Sequence, residues 1–467
     1  MIIKKNIKAE ITVFISLIFG ICLTLILNVI LATSIRCSRE ISKLVAIQTI
    51  KSVFSEYEKD ILEIYDLFLI DGGYKNEYDQ EKIINRFKFY NDENLKVNNK
   101  LEIGKFYGLS YESSHVNGLE LVCDYSYSNL KNQIVTYSKN KLGNGWAGIL
   151  NSNTVSLNEI IDINNGYKTD VQNIDNAINK SSEDEKKIIN TTLASYSDEI
   201  KKKDVLDLIL GKDFNISNKQ VKDYDFFAKR DKYKGYGDVR TFGVNDILSH
   251  IAISKYIVDH FSYCSEKKEE SFYDYEIEYI LGGMENDKDN LKKVIGKLLL
   301  IREGINYTYL ASSAKKQAEV ELLSGAISVA FPYLQPLIKQ VVLFSWAYLE
   351  SVSDIRKLLN GKKVALMKND FNWQTSINNL KNASLPENNN DDESGVDYKE
   401  YLRILLLLSS DKDLIERMLD LVEININKIR GNFSFKIDGC IVGINIDQVF
   451  VFDRNIYNRF NTQYFYK

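Results

Sequence analysis

A chain of 467 residues, 45% hydrophobic and 12% aromatic, carries enough apolar side chains for two or three cores at about 150 residues per domain, which excludes wholesale disorder. Three prolines and 24 glycines exclude collagen-like and proline-rich architectures, and 60 basic against 64 acidic residues leave no general footprint for a nucleic-acid partner. Five cysteines, at positions 22, 37, 123, 264 and 440, form neither a close-spaced zinc pair nor a disulfide framework.

Between Glu10 and Arg36 lie 25 uncharged residues, Ile11 to Ile35. At a helical rise of about 1.5 Å per residue this run crosses a hydrocarbon core of about 30 Å. Its polar members, Thr12, Ser16, Thr24, Asn28 and Thr33, can return hydrogen bonds to their own helix or to a neighbour. Lys4, Lys5 and Lys8 before the span nearly balance Arg36, Arg39 and Lys43 after it, so the charge rule alone is close to a tie. The short basic tail ahead of an apolar segment matches the start of a secretory signal and places the tail inside. Cys37 follows Ser34, Ile35 and Arg36 rather than the small residues a lipoprotein site needs, Cys22 lies inside the apolar run, and the span exceeds the usual apolar length of a cleavable signal. The expectation is a cytoplasmic tail over 1–10, a transmembrane helix over 11–35 and the bulk of the chain extracytoplasmic at the cell membrane. Glu10, at the edge of the apolar run, is a candidate assembly residue, placed to pair with an amine or lysine of a neighbouring anchor helix.

Past the span, Ile41, Leu44, Ile47, Ile50, Phe54, Tyr57, Ile61, Ile64 and Phe68 recur at steps of three and four. This predicts a projecting helix over 36–70, stopped by Asp71-Gly72-Gly73. Residues 71–245 read as a mixed α/β module with a polar insert. A candidate strand covers Gly118 to Cys123, candidate helices cover Asn129 to Ser138 and Asp184 to Leu210, and turns fall at Gly143-Asn144-Gly145 and Gly235-Tyr236-Gly237.

Residues 246–467 read as a helical domain with a C-terminal β hairpin. One helix is capped by Asp287 and stops at Gly304, and another runs from Pro332 or Pro336 to Asn360-Gly361. After a polar loop over 388–395, a single apolar helix is expected from Tyr398 to Ile424. Phe433, Phe435 and Ile437 alternate as a strand, Asp438-Gly439 supplies a turn, and 441–446 and 449–452 return. The fold class is α+β.

Three histidines, 115, 250 and 260, leave little material for a triad and no HExxH helix. His260 and Cys264 at i and i+4 lack a further ligand, Gly361-Lys362-Lys363 lacks the rest of a phosphate loop, and Lys292 stands where a calcium loop needs glycine. No cofactor, metal or catalytic residue is assigned. Arg302 and Glu303 on one apolar helix, and Glu350 and Asp354 on another, are candidate structural ion-pair residues, Arg302 being expected to meet Glu350 or Asp354.

Several segments carry a resemblance: Lys8 to Phe14, Val53 to Tyr57, Leu67 to Asp71, Glu278 to Gly282, Leu300 to Asn306, Trp346 to Ser351, Leu359 to Val364 and Tyr398 to Leu408. They resemble an uncharacterised membrane-anchored family of Gram-positive bacteria, a domain of unknown function associated with tight-adherence pilus loci, with a minor pilin-like first segment. Lys5 stands where a prepilin-peptidase site carries a small residue, which speaks against pilin-type cleavage. The resemblance implies no enzyme activity. It points to an accessory or structural protein of a pilus-like or secretion apparatus, partnered by the membrane and by other membrane-anchored pilin-like or assembly proteins. A carboxylate-based cell-wall or glycan hydrolase and an extracellular ligand-binding protein are the alternatives.

Overall fold

A computed structural model of the chain describes residues 7–96, 108–142, 146–193, 205–210, 215–381 and 394–466, with 385 and 392, apart from 223, 240–242, 244, 245, 270, 432, 454 and 455. The fold is α+β, and the chain forms two compact units. The first comprises 1–133, 232–243 and 434–467, and the second comprises 134–231 and 244–433. This differs from the sequence-based boundary at 245/246 in two respects: residues 134–231 belong with the helical unit, and the C-terminal strands belong with the N-terminal segment, because they pair with a strand near residue 115.

The first unit starts with helix α1, Ile7–Phe54, a single helix of 48 residues. Every position from 11 to 33 is exposed, and this stretch is long and apolar enough to cross a membrane. Beyond it, Ser38, Ser42, Val45, Ala46, Thr49, Ile50, Val53 and Phe54 are buried at steps of one, three and four. The buried stripe is therefore rotated from the expected one, since Leu44 is 66% exposed and Ile47 37%. Small and polar residues face inward because α1 lies against a sheet that offers them partners. The projecting helix also ends at Phe54 rather than near 70: Glu58 N–H donates to Leu69 O at 2.9 Å, folding the chain back. Of the remaining stripe, Ile61 and Ile64 fall on a short helix α2, Lys59–Tyr65, and Tyr57 and Phe68 on the connections around it, before strand β1, Ile70–Asp71.

Helix α3, Gln80–Leu95, is capped by Asp79, whose carboxylate accepts from Glu81 N. Four more strands follow: β2, Leu109–Leu121, β3, Tyr236–Gly237, β4, Cys440–Phe452, and β5, Ile456–Phe465. All pairings are antiparallel. β4 pairs with β1, β2 and β5, from Gly443↔Phe465 to Phe452↔Ile456 in the last case, and β3 pairs with β2. Gly118 is required where these last two meet, because a Cβ there would lie 2.9 Å from Asp238 O. The C-terminal expectation changes accordingly. Residues 433–437 form no strand, 437–439 is a single 3₁₀ turn, 441–452 is one continuous strand, and the hairpin reverses between Phe452 and Ile456.

The face of the sheet bearing Val116, Leu119, Leu121, Ile441, Ile444 and Ile446 packs on Ile50, Val53 and Phe54 of α1 and on Ile83 and Phe87 of α3. Between the apolar contacts runs a polar seam. Thr49 Oγ1 donates to Asn91 Oδ1 at 2.8 Å, Asn91 Nδ2 to Gln448 Oε1 at 2.9 Å, and Gln448 Nε2 to Ala46 O at 3.1 Å. Nearer the apolar span, Asn458 Nδ2 donates to Ser38 Oγ at 3.3 Å and Ser42 Oγ at 3.4 Å. Each buried polar group on this stripe has a partner, so the seam fixes one register of α1 on the sheet.

The second unit is helical. Helix α4, Ser128–Leu142, enters it at residue 134, and α5, Trp146–Lys180, α6, Glu183–Leu193, and α7, Val205–Ile209, follow. The turn expected at 143–145 lies outside the described residues, as does much of the polar loop over 388–395. Next come α8, Asp246–His260, α9, Glu276–Gly282, α10, Asp287–Ser312, α11, Ala314–Ile327, α12, Gln335–Leu359, and α13, Ile377–Lys381. The unit ends with α14, Tyr398–Leu407, and α15, Asp411–Arg430.

Helix α10 is capped by Asn286 and runs through Gly304. That glycine admits α5, since a Cβ there would lie 2.7 Å from Asn164 Oδ1. Helix α12 ends at Asn360 with Gly361 at φ +75°, a left-handed position that glycine tolerates. The helix expected over 398–424 is two, because Ser410 accepts from Asp413 N and starts α15 afresh. Leu310, Val320, Leu334, Ile338, Val342 and Trp346 form the core between α10, α11 and α12.

Candidate functional site

Two features hold chemistry in defined geometry, one in each unit. In the second unit, Arg302 of α10 and Glu350 and Asp354 of α12 meet Lys368, which lies on the loop after α12. All four side chains are sealed from solvent. Arg302 Nε and Nη2 donate to Asp354 Oδ2 at 3.0 and 2.8 Å, and Asn306 Nδ2 adds a third donor at 3.1 Å. Lys368 Nζ donates to Asp354 Oδ1 and Glu350 Oε1, both at 2.7 Å. Glu350 also accepts from Gln374 N at 2.9 Å and from Thr375 N and Oγ1, both at 2.8 Å.

Burial alone would push Asp354 up, but the guanidinium and the ammonium outweigh it and hold the carboxyl below its ordinary value. Burial would likewise lower Lys368, and the two carboxylates raise it instead. Two cations and two anions with every oxygen bonded form a closed structural unit with no free proton acceptor.

The network also shapes the loop over 365–375. Arg302 Nη1 donates to Ala365 O at 3.0 Å and Leu366 O at 2.9 Å, and Lys368 Nζ to Asn372 O at 3.2 Å. Asn369 Oδ1 accepts from Phe371 N at 2.9 Å and Asn372 N at 3.1 Å, closing the tip. At that tip Phe371 is 99% exposed. Its neighbour Asp370 accepts a hydrogen bond from Tyr309 Oη.

In the first unit, a concave site of about 650 Å³ lies where α1 ends, lined by Lys51, Phe54, Ser55, Tyr57, Phe68, Gln463, Tyr464, Phe465 and Tyr466. Phe54 stands 4.5 Å from Tyr464 and 5.1 Å from Tyr466 between ring centroids, and Phe68 stacks on Tyr466 at 5.5 Å. The walls are held from behind. Gln133 exchanges two hydrogen bonds with the Phe68 backbone, at 2.8 and 3.1 Å, and Asn129 Nδ2 donates to Tyr466 O at 3.1 Å. Tyr466 Oη donates to Phe54 O at 2.6 Å, and burial raises its phenol above the ordinary value. At the base of the turn, Glu56 accepts from Arg86 Nε at 2.9 Å, Tyr74 Oη at 3.1 Å and Tyr90 Oη at 2.9 Å.

The sequence-predicted residues fall as follows. Arg302 and Asp354 pair directly, Glu350 joins them through Lys368, and Glu303 stands apart, accepting from Tyr167 Oη at 2.6 Å. Glu10 lies on α1 with its side chain outside the described residues. His260 ends α8, so Cys264 shares no helix with it; Cys264 N donates instead to Glu278 at 3.1 Å. Among the described residues no cluster of three or more histidine, cysteine or acidic side chains could hold a metal ion. Glu276, Glu278, Asp420 and Glu423 form further buried carboxylates, all at most 1% exposed, and burial pushes Glu278 and Asp420 up to about 7.

Lys368 and the aromatic site escaped the sequence reading. Lys368 sits in a loop with no periodicity, and Gln463 to Tyr466 reach Phe54 only through sheet pairing. The signal that was present is the spacing of Arg302 and Asn306, four apart on an otherwise apolar helix face.

A family model described as a family of unknown function, DUF5702, matches residues 182–451, more than half of the chain. The chain belongs to that family. The DUF5702 match spans the whole charged network and the loop bearing Phe371, and it leaves α1 and the aromatic site outside. No curated protein and no solved structure matches the chain.

Proposed function

We propose that this DUF5702 chain is a non-catalytic, single-pass membrane protein that holds an extracytoplasmic body in a pilus-like or secretion assembly. The observation that carries the reading is α1, one helix whose first part is apolar and exposed and whose last part is built into the core of the first unit. A body mounted in this way has its orientation at the membrane set by packing rather than by a flexible linker. The buried carboxylates Glu276, Glu278 and Asp420 are enclosed and each accepts a hydrogen bond, with only Glu278 Oε2 left over, which favours a structural role for these three over that of a hydrolase pair.

The test is recovery of the full chain from membranes after crosslinking in cells. The reading predicts that the chain resists extraction by salt and alkali, dissolves in detergent and carries crosslinked membrane-anchored proteins. A chain released by salt, or one that cleaves a glycan substrate, contradicts it.

A further inference from the structure

The aromatic site and the Phe371 loop each pair an apolar feature with one charge, and the two charges are of opposite sign. One is a concavity walled by Phe54, Tyr57, Phe68, Tyr464 and Tyr466, with Lys51 in the last turn of α1 at its rim. The other is a bare phenyl ring on a loop already fixed by buried ion pairs, with the Asp370 carboxylate beside it. Holding a large aromatic at full exposure forfeits its burial in the monomer, and a rigid loop loses little entropy when the ring is captured. The concavity, about 650 Å³ and open to solvent on one side, has room for a benzyl group. Lys51 is exposed in the last turn of α1, and an entering Asp370 would supply it with a carboxylate partner.

We propose that the aromatic site of one copy receives Phe371 of a second copy, with Asp370 pairing to Lys51 at the rim. This names a partner within the assembly reading and rests on it. Because knob and site are different surfaces, each joined copy still presents a knob or a site to another, and the series ends only where it closes on itself, as a reciprocal two-fold pair or a ring.

The experiment uses the purified full chain in detergent, with benzoylphenylalanine in place of Phe371. Since the ring touches nothing in the monomer, the replacement leaves folding intact. Ultraviolet irradiation should give a ladder of crosslinked copies, with the attachment mapped to residues 51–68 or 463–466 of another chain. Phe371→Ala should weaken self-association by about thirtyfold, the loss typical of an interface anchor. Asp370→Lys should abolish the ladder, and Lys51→Asp in the same chain should restore it.

Attachment within one chain, attachment elsewhere on the second copy, or no covalent oligomer overturns the proposal. So does a ladder indifferent to both charge changes. Such a failure leaves membrane partner capture unaffected, so it is distinguishable from failure of the assembly reading.

Discussion

The seam beneath α1 and the charged network beside α12 are both buried and polar, yet they solve different problems. The seam uses neutral groups, Thr49, Asn91, Gln448 and Asn458, each with two or three modest hydrogen bonds. Leaving one of them unmet costs about 1–3 kcal/mol. The network uses two cations and two anions, whose removal from water is expensive unless every charge is matched. A neutral seam suits a helix that must sit in one register along a sheet, whereas full charges are placed where an irregular loop has to be held without secondary structure.

The largest test of this contrast is Arg302→Met. Asp354 then keeps only Lys368 as a cation, and Ala365 O and Leu366 O lose their donor. The expected loss is about 3–5 kcal/mol in chemical denaturation of the full chain in detergent. Adding Asp354→Leu should restore part of it, a coupling that independent sites would not show. Losses that simply add in the double variant would make the network incidental.

A second test separates paired from unpaired carboxylates by pH. Burial pushes Glu278 from an ordinary 4.5 up to about 7, so the folded chain keeps a proton that the unfolded chain has already lost. Stability should therefore fall as pH rises from about 4.5 to about 7, by about 3 kcal/mol, and Glu278→Gln should flatten that slope. Asp354, held below its ordinary 3.8, has the opposite sign: its contribution is present above that value and is lost as the pH falls through the lowered one. A chain with no slope between pH 5 and 7 would contradict the assignment for Glu278.

The seam should respond more gently. Thr49→Val leaves Asn91 Oδ1 without its donor and should cost about 1–2 kcal/mol, with the thermal midpoint lowered and the fold retained. The smallest effect, about 1 kcal/mol, is expected for Ser410→Ala, which removes the cap that divides α14 from α15. Both changes are read in thermal scans against the wild-type chain.

The same contrast explains what was legible in the sequence. The apolar span, α10, α12 and the pairing of Arg302 with an acid of α12 follow from local periodicity and from charges stranded on apolar faces. The inward stripe of α1 did not, because Ser38, Ser42 and Thr49 look like surface residues until the sheet supplies Asn458 and Asn91 as partners. Lys368 was hidden for a related reason: its two carboxylates lie 14 and 18 residues away, across a loop with no repeat. The aromatic site joins residues near 54 to residues near 464, a closure made by β4 and β5 and visible only in the folded chain.

The account turns on α1 passing unbroken from the apolar span into the first unit. Spin labels at Leu27 and Ile47, in a chain reconstituted in lipid vesicles with its native cysteines replaced by serine, measure this directly. An uninterrupted helix predicts one narrow distance distribution centred near about 30 Å. A broad distribution, or a much shorter centre, would mean a hinge at the membrane exit and would contradict a rigidly mounted body.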